Sequence, residues 1–184
     1  KLATSITKKI ANIKIIFHRK NLGYGAAIRT GIRKCKNDWI FITDGDNEFD
    51  VNDLLKLLKI AKYNDLVISF RHKKIYNTKR IIISWIYNKI LRLLFRTKFR
   101  DVSSASRLVN NKISKSIKLK SSSPFIGAEL AIKTSLAGYK VGEVGIYQYP
   151  QTFRNESISL KNILLTIKDL ISFFLEINLK KFKK

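Results

Sequence analysis

The sequence contains no methionine and only one cysteine, Cys35. No disulfide can therefore close within the chain, no cysteine cluster can hold zinc, and a reducing compartment suits it. The missing methionine extends to position 1 and reads as a chain that has lost its natural start. Acidic residues are scarce, 13 Asp and Glu against 37 Lys and Arg, for a formal charge of +24 and a pI near 10.3. Such an imbalance points to polyanionic company: nucleic acid, an anionic membrane surface or a phosphorylated substrate. Lysine dominates the basic residues, and Ile and Asn are abundant, so codon bias in an AT-rich genome is a second source of the charge. No apolar run is long and pure enough to span a bilayer, and no internal repeat or linker interrupts the chain. What is present is ordinary for a globular protein: 45% hydrophobic and 27% charged residues in 184, enough for one domain with a sizeable core.

Periodicity sketches an α/β order. Residues 3–11 read as the end of a helix and 12–18, "NIKIIFH", as a short strand. A glycine loop leads to a helix from Ala26 to Lys34, and "DWIFITD" (38–44) is an apolar run of strand length ending in acid, as buried parallel strands do. Leucines at helical spacing fill Asp53 to Tyr63, and "DLVISF" (65–70) is a second buried strand. Alternating strands and helices predict parallel strands whose C-terminal ends carry the site. Residues 80–96, "RIIISWIYNKILRLLFR", form a helix on which Ser84, Asn88, Lys89, Arg92 and Arg96 take less than half the circumference. Such a helix is either packed on two sides, the commoner outcome, or laid in a membrane interface. "SSSP" (121–124) marks a turn, Ala128 to Ala137 a helix, and "YKVGEVGIYQYP" further strand. From Leu160 to Leu179 an amphipathic helix places Ile163, Ile167, Leu170, Ile171, Phe174 and Ile177 on one side, ahead of a basic tail "KKFKK".

Asp44 and Asp46 directly follow a strand, so both carboxylates emerge at the sheet's C-terminal edge. Two nearby carboxylates repel, and a hard divalent cation, Mg²⁺ or Mn²⁺, offsets the repulsion and bridges to a substrate diphosphate. Glu48 is near enough to join them. The alternative is a plain turn, since Asp and Gly favour turns in any case. Gly23-Tyr24-Gly25 lets backbone approach a nucleotide but lacks the full dinucleotide or P-loop spacing; Gly31 reads as a site of close helix packing.

Order and spacing together resemble family 2 glycosyltransferases, in particular the polyprenyl-phosphate (dolichyl-phosphate) sugar synthases. "NLGYGAAIRTGI" is similar to that family's Asn-x-Gly-x-Gly-Ala-Ala segment and "ITDGDNEFDVNDLLKLL" to its metal-binding Asp-x-Asp and following helix. "DLVISFR" resembles its strand ending in Gly-x-Arg, with Ser69 in place of glycine. "SWIYNKILRLLF", "RDVSSASRLVNN" and "FIGAELAIKTSLAGYKVGEVGI" continue the likeness, which covers about residues 10–175. The resemblance implies a GT-A-like (Rossmann-like) α/β fold with a mostly parallel sheet flanked by helices, in a single domain over 1–184 that ends in an amphipathic helix and basic tail at 158–184.

The same likeness implies roles. Asn21, Gly23, Gly25, Asp44 and Asp46 match the nucleotide-sugar site, with Asp44, Asp46 and Glu48 as metal ligands. Arg71 matches an arginine that meets the acceptor phosphate, and Arg80 assists it. Asp101 matches an acidic residue near the acceptor that serves as base, or else caps a turn; with Asp46 and Arg71 it completes the expected catalytic set. Where the family shows an arginine after the last strand this chain has Gln151, and Arg154 either substitutes or is a surface residue. The family's first strand and early acidic nucleotide-binding segment have no counterpart, so the domain is expected to lack them.

The implied activity is metal-dependent, inverting transfer of a hexose from a nucleotide-diphosphate sugar to a polyprenyl phosphate, by a peripheral protein on the cytoplasmic face of an anionic membrane. The alternatives are a glycan, cell-wall or lipid acceptor, and an inactive fragment or basic module that binds membrane or nucleic acid. Nucleic acid fits less well, because Trp39, Phe41, Trp85, Phe95, Phe173 and Phe174 sit in apolar runs and not among basic residues.

Overall fold

A computed structural model describes residues 10, 12–150 and 159–181. The helix expected at 3–11 falls outside these residues, apart from position 10. Helix α1 spans Tyr24–Lys34, strand β1 Trp39–Ile42, helix α2 Leu54–Ala61 and strand β2 Leu66–Arg71. Helix α3 runs over Thr78–Phe95, strand β3 over Arg107–Asn110, and the short helix α4 over Asn111–Ser116. Helix α5 (Ile126–Leu136), strand β4 (Val141–Ile146) and helix α6 (Leu160–Lys181) complete the described elements.

The helix starts follow from local chemistry. The side chain of Asp50 accepts from the Asn52 amide, Asn77 from that of Arg80 and Asn110 from that of Lys112, which satisfies donors that a helix start leaves open. At the far end of α1, Arg33 and Lys34 sit where a helix dipole favours cations. α3 stops where Arg96 adopts a left-handed conformation (φ 51°).

The four strands lie in the order β1-β3-β2-β4. β2 pairs in parallel with β4, and β3 pairs antiparallel with both β1 and β2. Three strands therefore share one direction, and β3 is threaded between two of them against it. A mostly parallel sheet is right in strand direction, but only one of the three neighbouring pairs is parallel. β3 did not read as a strand because it is four residues long and bounded by polar sequence. β2 is buried along nearly all its length, as its unbroken apolar run requires. Its residues Leu66 and Ile68 join Val109, Phe125 and Ile132 in the main core. Leu57 and Val67 pack with Leu108 in a second cluster.

This arrangement decides where loops meet. The C-terminal ends of β1, β2 and β4 and the N-terminal end of β3 all open on the same sheet edge. The loops at 43–50, 72–77, 101–106 and 147–150 are gathered there.

Three expectations need correction. Residues 13–18 form no strand; none of the described segments lies alongside to supply a ladder, and Phe17 stays 73% exposed. On α6 the inward stripe centres on Phe173 with Leu170 and Ile177, while Ile167 and Ile171 face outward. α3 is not packed on two sides: only Asn88 and Leu91 are buried.

Candidate active site

Residues 43–50 leave β1 at the shared edge, with both carboxylates half-buried. Asp44 accepts a hydrogen bond from the Tyr24 hydroxyl at 3.1 Å. Burial, with the neighbouring Asp44 charge, pushes that phenol up to about 12. Asp46 accepts the Glu48 amide at 3.2 Å, across a turn in which Asn47 takes a left-handed conformation (φ 62°). The Asp-Gly-Asp stretch is therefore a turn and also presents a carboxylate pair; the two readings are compatible. Oxygen donors of this kind suit a hard divalent cation, and the pair leaves positions for a substrate's phosphate oxygens.

Glu48 is drawn away from that set. It is buried, and both its oxygens receive the Tyr76 hydroxyl, at 3.2 and 3.0 Å. Burial raises its pKa although the Tyr76 bond works in the opposite direction. Among the described residues no three acidic, histidine or cysteine side chains gather as a metal cluster, and the Glu48 oxygens are taken up by Tyr76.

Tyr76 is the hinge of the site. Arg71, at the end of β2, donates Nη1 to the Tyr76 hydroxyl (3.0 Å), Nε to Asp101 (2.8 Å) and Nη2 to Ser103 (2.6 Å). Arg80 lies over the Tyr76 ring, its guanidinium carbon 3.4 Å from the centroid. Lys74 approaches Asp101 at 3.4 Å and donates to Ser84 at 2.6 Å. One connected path thus runs from Asp46 through Glu48, Tyr76 and Arg71 to Asp101. Beside it an open cavity of about 590 Å³ is lined by Lys73, Lys74, Ile75, Tyr76, Asn77 and Ile81.

Asp101 is the buried counter-ion of Arg71, both side chains being 4% exposed. Burial alone would raise its pKa, but the bond and charge of Arg71, with Lys74 and Ser103, hold it down at about 2. A carboxylate so stabilised is a weak proton acceptor. The geometry makes Asp101 the carboxylate that orients Arg71. α3 supports it from behind: Asn88 donates to Asp101 at 3.4 Å and accepts the Val102 amide at 3.1 Å.

Gly23 and Gly25 approach backbone, as their spacing suggests, but the backbone is the protein's own. Gly25 donates to the Ser122 carbonyl at 2.9 Å, and a Cβ there would stand 2.4 Å from the Ser121 oxygen. Asn21 accepts the Gly23 amide at 2.9 Å and so shapes the turn. Gly31 is not a packing site, since a Cβ added there would meet no atom within 4 Å. Arg154 lies outside the described residues.

Sequence reasoning missed Tyr76, Ser103 and Arg107. Arg107 is buried, donates to the Val102 and Ser104 carbonyls at 2.7 Å each, and so fixes the loop that carries Asp101. Burial lowers its pKa. Gly127 makes room for it, since a Cβ there would fall 2.1 Å from Arg107 Nη2. The serine-rich "DVSSASR" was the available signal; Tyr76 had none.

The model of glycosyl transferase family 2 matches residues 1–117, well over half of the 184 residues. The chain belongs to that family. A mycobacterial protein of known structure superposes with a TM-score of 0.64 at 14% identity, over 89% of this chain and 54% of that one. Glucosyl-3-phosphoglycerate synthase from Mycobacterium tuberculosis gives 0.61 at 15% identity as its complex with Mg²⁺ and uridine diphosphate, over 89% of this chain and 57% of that one. Its complex with Mn²⁺, uridine diphosphate and phosphoglyceric acid gives 0.62 at 14% identity, over 91% and 57%. At such identities the likeness shows the fold. This family 2 chain spans somewhat more than half the length of these neighbours.

Proposed function

We propose that this chain carries the metal and acceptor side of a glycosyltransferase that moves a hexose from a nucleotide-diphosphate sugar to a polyprenyl phosphate with inversion. The observation that carries the reading is the path Asp46–Glu48–Tyr76–Arg71–Asp101. It joins a carboxylate pair fit for a cation to a guanidinium cluster fit for a phosphate, across one sheet edge. Both halves of such a transfer handle phosphate, and they need opposite signs.

Asp44 and Asp46 would hold Mg²⁺ or Mn²⁺, and when bound the ion would neutralise charge on the leaving diphosphate. Arg71 and Arg80 bind and orient the acceptor phosphate. Arg71 is preset for this, because Asp101, Tyr76 and Ser103 anchor three of its five donor positions. Arg80 is held by its stack on Tyr76, with no carboxylate ion pair among the described residues. A phosphate acceptor is already anionic and calls for no strong base, which agrees with an Asp101 kept at about 2.

A second reading gives the arginines a small phosphorylated acceptor. The neighbour complexed with phosphoglyceric acid favours it, and the guanidinium chemistry suits either phosphate. The deciding measurement is transfer from UDP- and GDP-hexoses to polyprenyl phosphate or to 3-phosphoglycerate, with Mn²⁺ and with chelator. Manganese-dependent product on the lipid, lost in Asp46→Ala, is expected. Product on phosphoglycerate alone selects the second reading, and metal-independent nucleotide-sugar binding unaffected by Asp46→Ala rejects both.

A further inference from the structure

Two loops of the site are moored to adjacent residues. The carboxylate turn is tied by the Tyr149 amide, which donates to the Glu48 carbonyl at 2.9 Å. The loop at 72–77 is tied by Gln148, whose Oε1 accepts the Ile75 amide at 3.1 Å. The Ile75 amide can only donate, which fixes the orientation of the Gln148 side chain. Gln148 is buried, and among the described residues its Nε2 finds no hydrogen-bond partner. An open donor in the interior is costly, and the bond that holds Ile75, next to Tyr76, is kept in spite of it.

Between these moorings stands the Tyr76 hydroxyl. Its single proton goes to Glu48, whose two oxygens lie at 3.2 and 3.0 Å, and its oxygen accepts Nη1 of Arg71 at 3.0 Å. The bonds run in one direction: Arg71 donates to Tyr76, Tyr76 to Glu48, and the Glu48 amide to Asp46 at 3.2 Å. Hydrogen bonds in series polarise one another. The Glu48 charge draws the phenol proton and makes the oxygen a stronger acceptor for Arg71. The ring of the same residue carries Arg80, 3.4 Å from its centroid. One side chain therefore bears on both arginines of the phosphate side and on the turn of the metal side.

We propose that Tyr76 is a positioning residue that couples the two halves of the site, so that a divalent cation on Asp44 and Asp46 tightens the hold of Arg71 and Arg80 on a phosphate. Glu48 lies two residues from Asp46 on the same turn, so its charge is offset when a cation is bound there, and its pull on the phenol proton eases. The Tyr76 oxygen then holds Nη1 less firmly, and more of the Arg71 charge is available to the phosphate. Coupling between two binding sites is reciprocal, so the phosphate tightens the cation by the same factor. The proposal rests on the metal and phosphate sites proposed for the transfer, and adds the contact that links them.

The test is isothermal titration of the full chain with phenyl phosphate, without metal and at saturating Mn²⁺. Paramagnetic resonance of free Mn²⁺, with and without phenyl phosphate, reads the reciprocal effect. Each ligand should tighten the other by about fivefold or more, by one common factor. Tyr76→Phe keeps the ring against Arg80 and removes the hydroxyl, and should reduce that factor by about threefold or more. Glu48→Gln keeps an acceptor for the hydroxyl and removes the charge, and should reduce it likewise, so the outcome does not hang on one variant. Circular dichroism checks that both fold. Independent binding of the two ligands to the unsubstituted chain overturns the proposal. So does a factor undiminished in either folded variant, which would leave only direct attraction between ion and phosphate. Metal-free binding of phenyl phosphate that Arg80→Gln leaves unchanged, or no binding at all, defeats the phosphate site itself and the coupling with it.

Discussion

The Arg71–Asp101 pair shows how a single contact ties stability to the site. Its side chains are almost fully buried, and the Asp101 pKa falls from 3.8 to about 2 on folding. A depressed carboxylate pKa stabilises the folded state above the unfolded value, and that contribution is lost as pH falls through the folded one. The pair should therefore supply about 2 kcal/mol at neutral pH that vanishes between roughly pH 4 and pH 2. Urea unfolding across that range checks it, with Asp101→Asn removing the part of the slope that this pair contributes while that of Asp65, also held down by its Lys112 partner, remains. That variant also strands the Arg71 cation and should cost about 3 kcal/mol at pH 7. The glycines offer a second comparison. Gly25→Ala drives a methyl into the Ser121 carbonyl and should destabilise by about 2 kcal/mol. Gly31→Ala, on an exposed helical site with open space around it, should stabilise by up to ~1 kcal/mol. Denaturant midpoints of the two variants should thus move in opposite directions from one short segment. The sequence marked both glycines alike because spacing reports neither what stands opposite a Cα nor how close it is.

At the level of elements, α3 is where pattern and packing part company. Sequence periodicity identified the helix to within two residues at its start, from 80 against the observed Thr78. It assigned the apolar majority to the interior, since apolar side chains more often seek cover. The interior side is chosen by what the helix must meet, and the loop at 101–106 offers Asp101 and Ser103, which require Asn88 and Ser84. Two leucines two positions apart should therefore behave very differently. Leu91→Ala, at 1% exposure in the core, should cost about 3 kcal/mol. Leu93→Ala, at 71% exposure, should stay within about 0.5 kcal/mol. Thermal melts of the two single variants give the comparison, and equal losses would contradict the helix orientation. Strand β3 escaped notice for the opposite reason: Arg107–Asn110 is too short to show alternation, and pairing on both sides makes it a strand.

For the whole molecule, 37 basic residues stand against 13 acidic ones, Asp44 and Asp46 of the carboxylate turn among the latter. Self-repulsion at a net charge of +24 should depress stability at low ionic strength and be screened as the Debye length shrinks from ~30 Å to below 10 Å. Raising NaCl from about 10 to 300 mM should lift the melting temperature by about 2–4 °C, and a flat response would show the charges too dispersed to repel. The sequence alone determined the α/β class, the five helices α1, α2, α3, α5 and α6, strands β1, β2 and β4, and the delivery of Asp44 and Asp46 from a strand end. Those features are local, set by side-chain periodicity and by the identity of a few neighbouring residues. Only the tertiary structure decided that β3 runs backwards between β1 and β2, bringing residues 101–106 beside Arg71. It likewise turned Glu48 to Tyr76, made Asp101 a counter-ion and left the apolar side of α3 facing outward. Each of these depends on groups far apart in sequence meeting across a sheet edge, and no local pattern encodes which of several possible partners a buried charge or a helix face will find.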